Sequence, residues 1–323
     1  MKAAVYYRYG SPEELKIKNI QKPVPKEEEV LINVYAASIN SWDWDLLQGK
    51  PLLSRIGGLR RPRYRILGAD AAGIVESTGE KVRQLQPGDR VFGDLSGSGW
   101  GGFAEYVTAP EHVLARMPEN MSFQEAAALP QAAVLAMQGL RCKRPVEKGE
   151  KVLINGAGGG VGTFAVQMAK ASGAEVTGVD RAEKLEMLQS IGADHVIDYR
   201  LRDYTKEQER YNRIIDITAQ RSIIENRNAL QAGGIYLMIG GKTAYILQLM
   251  MLGAIFSRTT SKTTGLLLHK PNKEDLEHIL EFVESGKVTP VIDRQFPLKK
   301  TAEAFQYFGK GMHAGKVIIK IRE

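Results

Sequence analysis

Residues 152–169 read Val-Leu-Ile-Asn-Gly-Ala-Gly-Gly-Gly-Val-Gly-Thr-Phe-Ala-Val-Gln-Met-Ala, and the turn in their middle decides the fold. An apolar run ending at Asn155 has the length of a buried strand, and from Val161 onward apolar residues recur with helical spacing. Between them the chain is almost all glycine. Glycines here permit a tight turn, let backbone N–H groups approach a pyrophosphate, and allow close helix–strand packing. The helix N-terminus then turns its partial positive charge toward the diphosphate. On that geometry Ala157, Gly159 and Gly162 take the three fingerprint positions, with Gly160 and Val161 completing a cofactor-binding loop.

Working outward, strands alternate with helical periods from about residue 121, the signature of βαβ units on a parallel sheet. Lys151–Asn155, Glu175–Asp180, His195–Tyr199, Arg213–Thr218 and Ile235–Ile239 supply strands, and Val161–Ser172, Ala182–Ile191 and Ser222–Leu230 supply helices. Residues 1 to about 120 read instead as short strands between turns: Ala3–Tyr7, Glu29–Ala37, Gly73–Ser77 and Arg90–Gly93, the last announced by Gln86-Pro87-Gly88-Asp89. Helices Lys273–Gly286 and Thr301–Gly309 and a strand Lys316–Ile321 close the chain. The simplest architecture is α/β, a doubly wound parallel sheet (121–261) inserted in a strand-rich domain (1–120 plus 262–323).

The end of the second strand bears on the choice of nicotinamide cofactor. Asp180 lies 18 residues past Gly162 (180 minus 162), where a carboxylate bonds ribose hydroxyls and favours NAD. Against it stand Arg181, Lys184, Tyr199 and Arg200, suited to a 2′-phosphate. The two signals conflict. Ile239-Gly240-Gly241, ending a later strand, lets backbone pass close to the nicotinamide half. Gly241-Lys242-Thr243 resembles the tail of a nucleoside-triphosphate loop, but the glycine needed five residues earlier is Tyr236, so it is not read as one.

Composition narrows the class. The chain has 323 residues, 43% hydrophobic and 25% charged, with a formal net charge of +7 and 33 unevenly placed glycines. That is ordinary globular composition, long enough for two domains. A single cysteine, Cys142, excludes an intrachain disulfide framework and points to a reducing, cytoplasmic compartment. No secretory signal is visible over Met1–Tyr9. The apolar run Tyr245–Phe256 is shorter than the ~20 residues of a membrane span and reads as a buried or interface helix. Five arginines from Arg55 to Arg65 make the sharpest charge bias. Only Tyr64 is interleaved with them, so a solvated loop is expected and nucleic acid is not the expected partner.

With these motifs in place the chain resembles the medium-chain dehydrogenase/reductases. The resemblance rests on the glycine loop, Ala37-Ser38-Ile39-Asn40-Ser41-Trp42-Asp43, Leu67-Gly68-Ala69-Asp70-Ala71-Ala72-Gly73-Ile74-Val75, Pro87-Gly88-Asp89-Arg90-Val91 and Ala314-Gly315-Lys316-Val317. It covers nearly the whole chain and is nearest the zinc-free quinone oxidoreductases and enone reductases. It implies a Rossmann sheet inserted in a GroES-like domain, a homodimer, and NAD(P)H-dependent reduction of a quinone or an α,β-unsaturated carbonyl. Zinc-dependent relatives place a cysteine at Asn40 and a histidine in a Gly-His-Glu run that reads Gly68-Ala69-Asp70 here. Alanine cannot ligate, a catalytic zinc needs three protein ligands, and His112, His195, His269, His278 and His313 show no ligand spacing. No metal is expected.

The resemblance also places Asn40 and Asp43 near the nicotinamide end, as candidate catalytic residues. It adds Lys316 to the cofactor set and matches Lys184 and Tyr199 to holders of a 2′-phosphate. The lean is therefore to NADP(H), with NAD(H) as the alternative. Trp42, Trp44 and Tyr64 are candidates for an apolar substrate pocket, or for core. Two other functions compete: zinc-type alcohol oxidation, which Ala69 argues against, and a nucleotide-sensing protein with little turnover.

Overall fold

Alternating runs in the first part of the chain form antiparallel sheet. In the computed structural model, which describes residues 1–55, 58–208, 210–241, 244–251 and 261–322, β1 (Lys2–Val5) and β2 (Lys16–Asn19) pair as a ribbon. The eleven-residue β3 (Glu29–Ile39) is the spine of the main sheet, and α1 (Ser41–Gln48) follows it directly. Then come β4 (Asp70–Thr78), β5 (Arg90–Asp94), β6 (Tyr106–Pro110), β7 (Leu114–Arg116) and the helices α2 (Phe123–Ala128) and α3 (Pro130–Arg141).

The parallel sheet is built from β8 (Lys151–Asn155), β9 (Glu175–Asp180), β10 (His195–Asp198), β11 (Tyr211–Asp216), β12 (Leu230–Met238) and β13 (Thr263–Leu266). Four helices lie along this stretch: α4 (Gly160–Ala171), α5 (Ala182–Ser190), α6 (Ile223–Asn228) and α7 (residues 244–251). Helix α8 (Lys273–Glu284), β14 (Ile292–Pro297), α9 (Thr301–Gly309) and β15 (Lys316–Lys320) follow, and β15 pairs antiparallel with β3.

The six parallel strands run β10-β9-β8-β11-β12-β13, and the seven-stranded sheet runs β14-β15-β3-β4-β5-β7 with β6 added on β3. The parallel order reverses between β8 and β11, the switch point at which such sheets bind ligands outside the carboxyl ends of their strands. The chain divides into two compact units. One comprises Met1–Ala132, Pro271–Ile279 and the residues from Ile292 onward; the other comprises Ala133–Lys270 and Leu280–Val291.

Each unit has its own apolar core. Ile39, Leu47, Phe103, Phe305, Val317 and Ile319 are fully buried together in the antiparallel unit, as are Leu153, Val179, Ile214, Tyr236 and Met238 in the parallel one. Burying each such side chain stabilises by roughly 1.5–3 kcal/mol.

Helix α1 and strand β12 depart from the sequence expectations, as does β2, which was not expected. Helix α1 was not expected from Ser41-Trp-Asp-Trp-Asp; it forms because Asp43 in its first turn accepts the backbone N–H of Asn40, and Gly49 ends it at φ +63°. Strand β12 begins at Leu230 rather than Ile235, with a register irregularity against β11. Of the apolar run Tyr245–Phe256, residues 252–256 lie outside the described residues, as do Lys242 and Thr243 of the excluded triphosphate-loop reading and residues 56 and 57 within the arginine cluster. Among the described residues no helix is long and apolar enough to cross a membrane.

Candidate functional site

The glycine turn leaves β8 at Asn155, and α4 begins at Gly160 with Gly159 as its N-cap. A Cβ on Gly162 would stand 2.3 Å from the Gly156 carbonyl oxygen and 2.4 Å from that of Ala157, so helix and turn meet with no room for a side chain. A Cβ on Gly159 would meet only the Gly156 oxygen, at 3.5 Å, which leaves its surface open to a ligand. Ala157 is fully buried. Tight packing at Gly162 beside an open surface at Gly159 fits a diphosphate cradle.

Asp180 ends β9 and turns toward this loop. Its Oδ2 accepts the Gly158 N–H at 2.8 Å, its Oδ1 accepts the Arg181 N–H at 2.9 Å, and the Lys184 ammonium lies 3.7 Å from Oδ1. Asp180 and Lys184 are both buried, so each largely neutralises the other. Tyr199 is half-buried and its N–H donates to the Asp180 carbonyl at 3.2 Å, while the Arg200 guanidinium meets Glu183 at 3.3 Å. Beyond the carboxyl ends of β11 and β12, Gly241 approaches Ala219 so closely that its Cβ would fall 2.2 Å from that of Ala219, with Gly240 beside it. Beneath them the buried Asp216 accepts from Asn155 Nδ2 (2.8 Å), the Ala219 N–H (2.8 Å) and the Tyr236 hydroxyl (2.9 Å).

In the antiparallel unit a second polar cluster is built from distant parts of the chain. Asp70, fully buried at the start of β4, takes the Ser38 hydroxyl (2.8 Å), Asn40 Nδ2 (2.9 Å) and the Lys316 ammonium (3.3 Å) on Oδ2, and the Gln131 N–H (3.0 Å) on Oδ1. Lys316, predicted as a cofactor ligand, also donates to Asn40 Oδ1 at 2.6 Å. The ammonium on one side and the carboxylate on the other fix which way the Asn40 amide points. Burial raises the Asp70 carboxyl above its ordinary range, against the neighbouring ammonium.

Asp43 is fully buried and accepts the N–H of Asn40 (2.9 Å) and of Gly68 (2.9 Å). Burial pushes its carboxyl up to about 7, against those two donors, and the nearby Asp70 charge adds to the rise.

The three aromatic candidates separate. Trp42 and Tyr64 both pack on Trp100, at centroid distances of 5.7 and 4.8 Å. Trp44 stacks against Phe305 and Phe308, and Trp44 and Tyr64 both pack on the core that includes Trp100, whereas Trp42 is exposed. Asp70, Gln131 and Trp100 were not singled out in the sequence. For Trp100 the available signal was a lone large ring among Gly99, Gly101 and Gly102.

Other features lie elsewhere. A cavity of about 360 Å³, lined by Lys151, Glu175, His195 and Tyr211, sits at the amino ends of the parallel strands, away from the glycine turn. Arg60, Arg61, Arg63 and Arg65 are exposed. Among the described residues no group of three or more His, Cys, Asp or Glu is placed to hold a metal.

Comparison with known proteins agrees with this architecture. Residues 26–119 match the alcohol dehydrogenase GroES-like domain, and residues 191–319 match the zinc-binding dehydrogenase family. The chain is 33% identical over 330 residues to the 2-methylene-furan-3-one reductase of Solanum lycopersicum, covering 99% of this chain and 79% of that protein. It is 32% identical over 333 residues to an NADPH-dependent alkenal/one oxidoreductase, chloroplastic, of Arabidopsis thaliana, with the same coverage of 99% and 79%. The structure of the quinone oxidoreductase from Coxiella burnetii matches it with a TM-score of 0.90 at 27% identity, over 100% of this chain and 99% of that one.

Proposed function

We propose, since the chain belongs to the medium-chain dehydrogenase/reductase superfamily and to its quinone oxidoreductase branch, that it reduces a quinone or an α,β-unsaturated carbonyl. The nicotinamide cofactor, when bound, supplies the hydride. The observation that carries the reading is Asn40, held between Lys316 and Asp70 where zinc-dependent relatives place a cysteine. One Nδ2 hydrogen of Asn40 serves Asp70. The other has no acceptor among the described residues and is available to the substrate oxygen.

The chemistry follows from that donor. Hydride arriving at a conjugated carbon moves an electron pair onto the carbonyl oxygen, and a preorganised N–H donor stabilises the charge there. Lys316 acts one step behind, by polarising the Asn40 amide. Asp43 is a positioning residue that ties Asn40 to Gly68 from the interior. The final proton comes from water. Trp42 and Tyr64 line the apolar side of the substrate site.

For the cofactor we assign Ala157, Gly159, Gly160, Val161 and Gly162 to the diphosphate, Gly240 and Gly241 to the nicotinamide half, and Asp180, Arg181, Lys184 and Tyr199 to the adenosine ribose. Because Asp180 is already neutralised by Lys184 and by two backbone donors, it repels a 2′-phosphate weakly. NADPH therefore binds more tightly than NADH, by less than about a hundredfold, or ~2.7 kcal/mol. We further propose that no stoichiometric zinc is bound, that the protein is cytoplasmic, and that it is a homodimer. The dimer is supported by β13, an edge strand of the parallel sheet, and by the exposed Leu247, Met250 and Met251 of α7.

The deciding experiment measures NADPH oxidation against a panel of quinones and enones. Absence of turnover with every member overturns the reading. Elemental analysis that finds one tightly held zinc, with activity lost on its removal, overturns the metal-free reading. Light scattering of the purified protein decides the dimer, which a monomer mass excludes.

A further inference from the structure

Trp100 carries two independent anomalies. Its φ is +62°, a left-handed conformation that large L side chains rarely adopt, in a loop where Gly99 and Gly101 lie at +114° and +118°. Such outliers persist where the surrounding structure holds them, and they gather at ligand sites. The second anomaly is its side chain. Trp100 is 6% exposed, and its indole N–H is buried with no hydrogen-bond acceptor among the described residues. Buried donors are almost always paired, so this one calls for an explanation.

The surroundings suggest what pairs it. Its walls include Trp42 and Tyr64, rings with no acceptor directed at the indole nitrogen. Trp42 is 44% exposed, the outward member of the trio. The loop lies against the polar cluster: the Leu95 N–H donates to the Ala69 carbonyl at 2.6 Å, and the Trp100 N–H of the backbone donates to the Leu95 carbonyl at 3.1 Å. The side-chain amide nitrogen of Gln131, whose backbone serves Asp70, is likewise buried without an acceptor.

A region of electron-rich rings and unpaired donors fits a flat, electron-poor ring bearing carbonyl oxygens. We infer that Trp100 is a substrate-positioning residue whose indole N–H binds a quinone carbonyl when Trp42 swings outward, selecting cyclic quinones over acyclic enones. This rests on the reading of the protein as a quinone or enone reductase.

The chain has three tryptophans, so ¹⁵N-tryptophan labelling gives three indole N–H signals, assignable with Trp42→Phe and Trp44→Phe. Adding 1,4-naphthoquinone without cofactor is expected to move the Trp100 signal downfield. Naphthalene, of the same shape without the oxygens, is expected to leave it in place. Trp100→Phe should raise the naphthoquinone Kd at least tenfold, leave the NADPH Kd unchanged, and lower kcat/KM for quinones more than for acyclic enones. A quinone that binds without moving the Trp100 signal, or fails to bind, overturns the inference, as does naphthalene moving the signal equally. Unchanged quinone kcat/KM in folded Trp100→Phe also overturns it, while leaving the reductase reading intact. Loss of the reductase reading shows instead as absent turnover with both substrate classes, and the binding titration still reads Trp100. If Trp100→Phe does not fold, the wild-type titration alone decides.

Discussion

Asp70 and Asp216 are both fully buried carboxylates at strand ends, one in each unit, and they are satisfied in opposite ways. Asp216 takes an amide, a backbone N–H and a tyrosine hydroxyl, all neutral donors. Asp70 takes neutral donors as well, but adds the Lys316 ammonium. Burial raises both carboxyls above their ordinary range, and only Asp70 has a buried cation to oppose it. The difference separates a structural anchor from a charged device. Neutral donors suffice to hold a loop, whereas a buried ion pair costs desolvation twice, and here the ammonium also donates to the Asn40 amide oxygen.

The largest expected effect tests that contrast. Lys316→Met leaves Asp70 with no counter-charge and should cost about 3–5 kcal/mol of stability in urea unfolding. Turnover should fall with it, because the Asn40 amide loses its orientation. A cost no larger than that of Asp216→Asn would erase the distinction.

Asp43 sharpens the comparison, since it has two backbone donors and neither an ammonium contact nor a side-chain donor. A carboxyl raised in the folded state binds its proton more tightly there than in the unfolded chain. Its contribution to stability is therefore full below the ordinary value near 4 and is lost as pH rises to about 7. The loss across that window should be at most about 4 kcal/mol. Unfolding measured at several pH values should show the decline in the wild type and a flatter profile in Asp43→Asn. Equal slopes would mean that Asp43 titrates normally.

Asp216→Asn comes next. It turns an N–H₂ toward groups that are themselves donors and should cost about 1–3 kcal/mol, with cofactor affinity moving less than stability. The smallest effect belongs to the Asp180–Lys184 pair, the counterpart in the parallel unit of a carboxylate with an ammonium. Lys184→Ala should weaken NADPH about tenfold, or ~1.4 kcal/mol, and NADH less; Asp180→Ser should do the opposite and widen the preference for NADPH. If NADH binds better than NADPH in the wild type and Lys184→Ala leaves NADPH unchanged, Asp180 is holding the ribose hydroxyls.

Sequence distance explains how much of this was legible. The glycine turn is one contiguous stretch, so strand, turn and helix could be read together, and the parallel sheet with its crossovers followed by periodicity. The Asp70 cluster joins residues 246 positions apart, and no local pattern marks Lys316 as a partner of Asn40. The family resemblance brought Asn40, Asp43 and Lys316 into view separately; their mutual contacts needed the fold. Strand β2 was missed because all four of its residues are exposed, so no buried alternation marks it. Trp44 was indistinguishable from Trp42 in sequence. Two residues apart at the start of α1, they face different ways, Trp44 to Phe305 and Phe308 and the exposed Trp42 to the edge of Trp100.

All three tryptophans fall within Met1–Ala132. Intrinsic indole emission is therefore a reporter for the antiparallel unit alone, and the parallel unit is spectroscopically silent at that wavelength. Denaturation followed by emission and by far-ultraviolet ellipticity tracks two different populations. Coincident curves would mean that the units melt as one cooperative body, and a gap between the midpoints would mean that one unit outlasts the other.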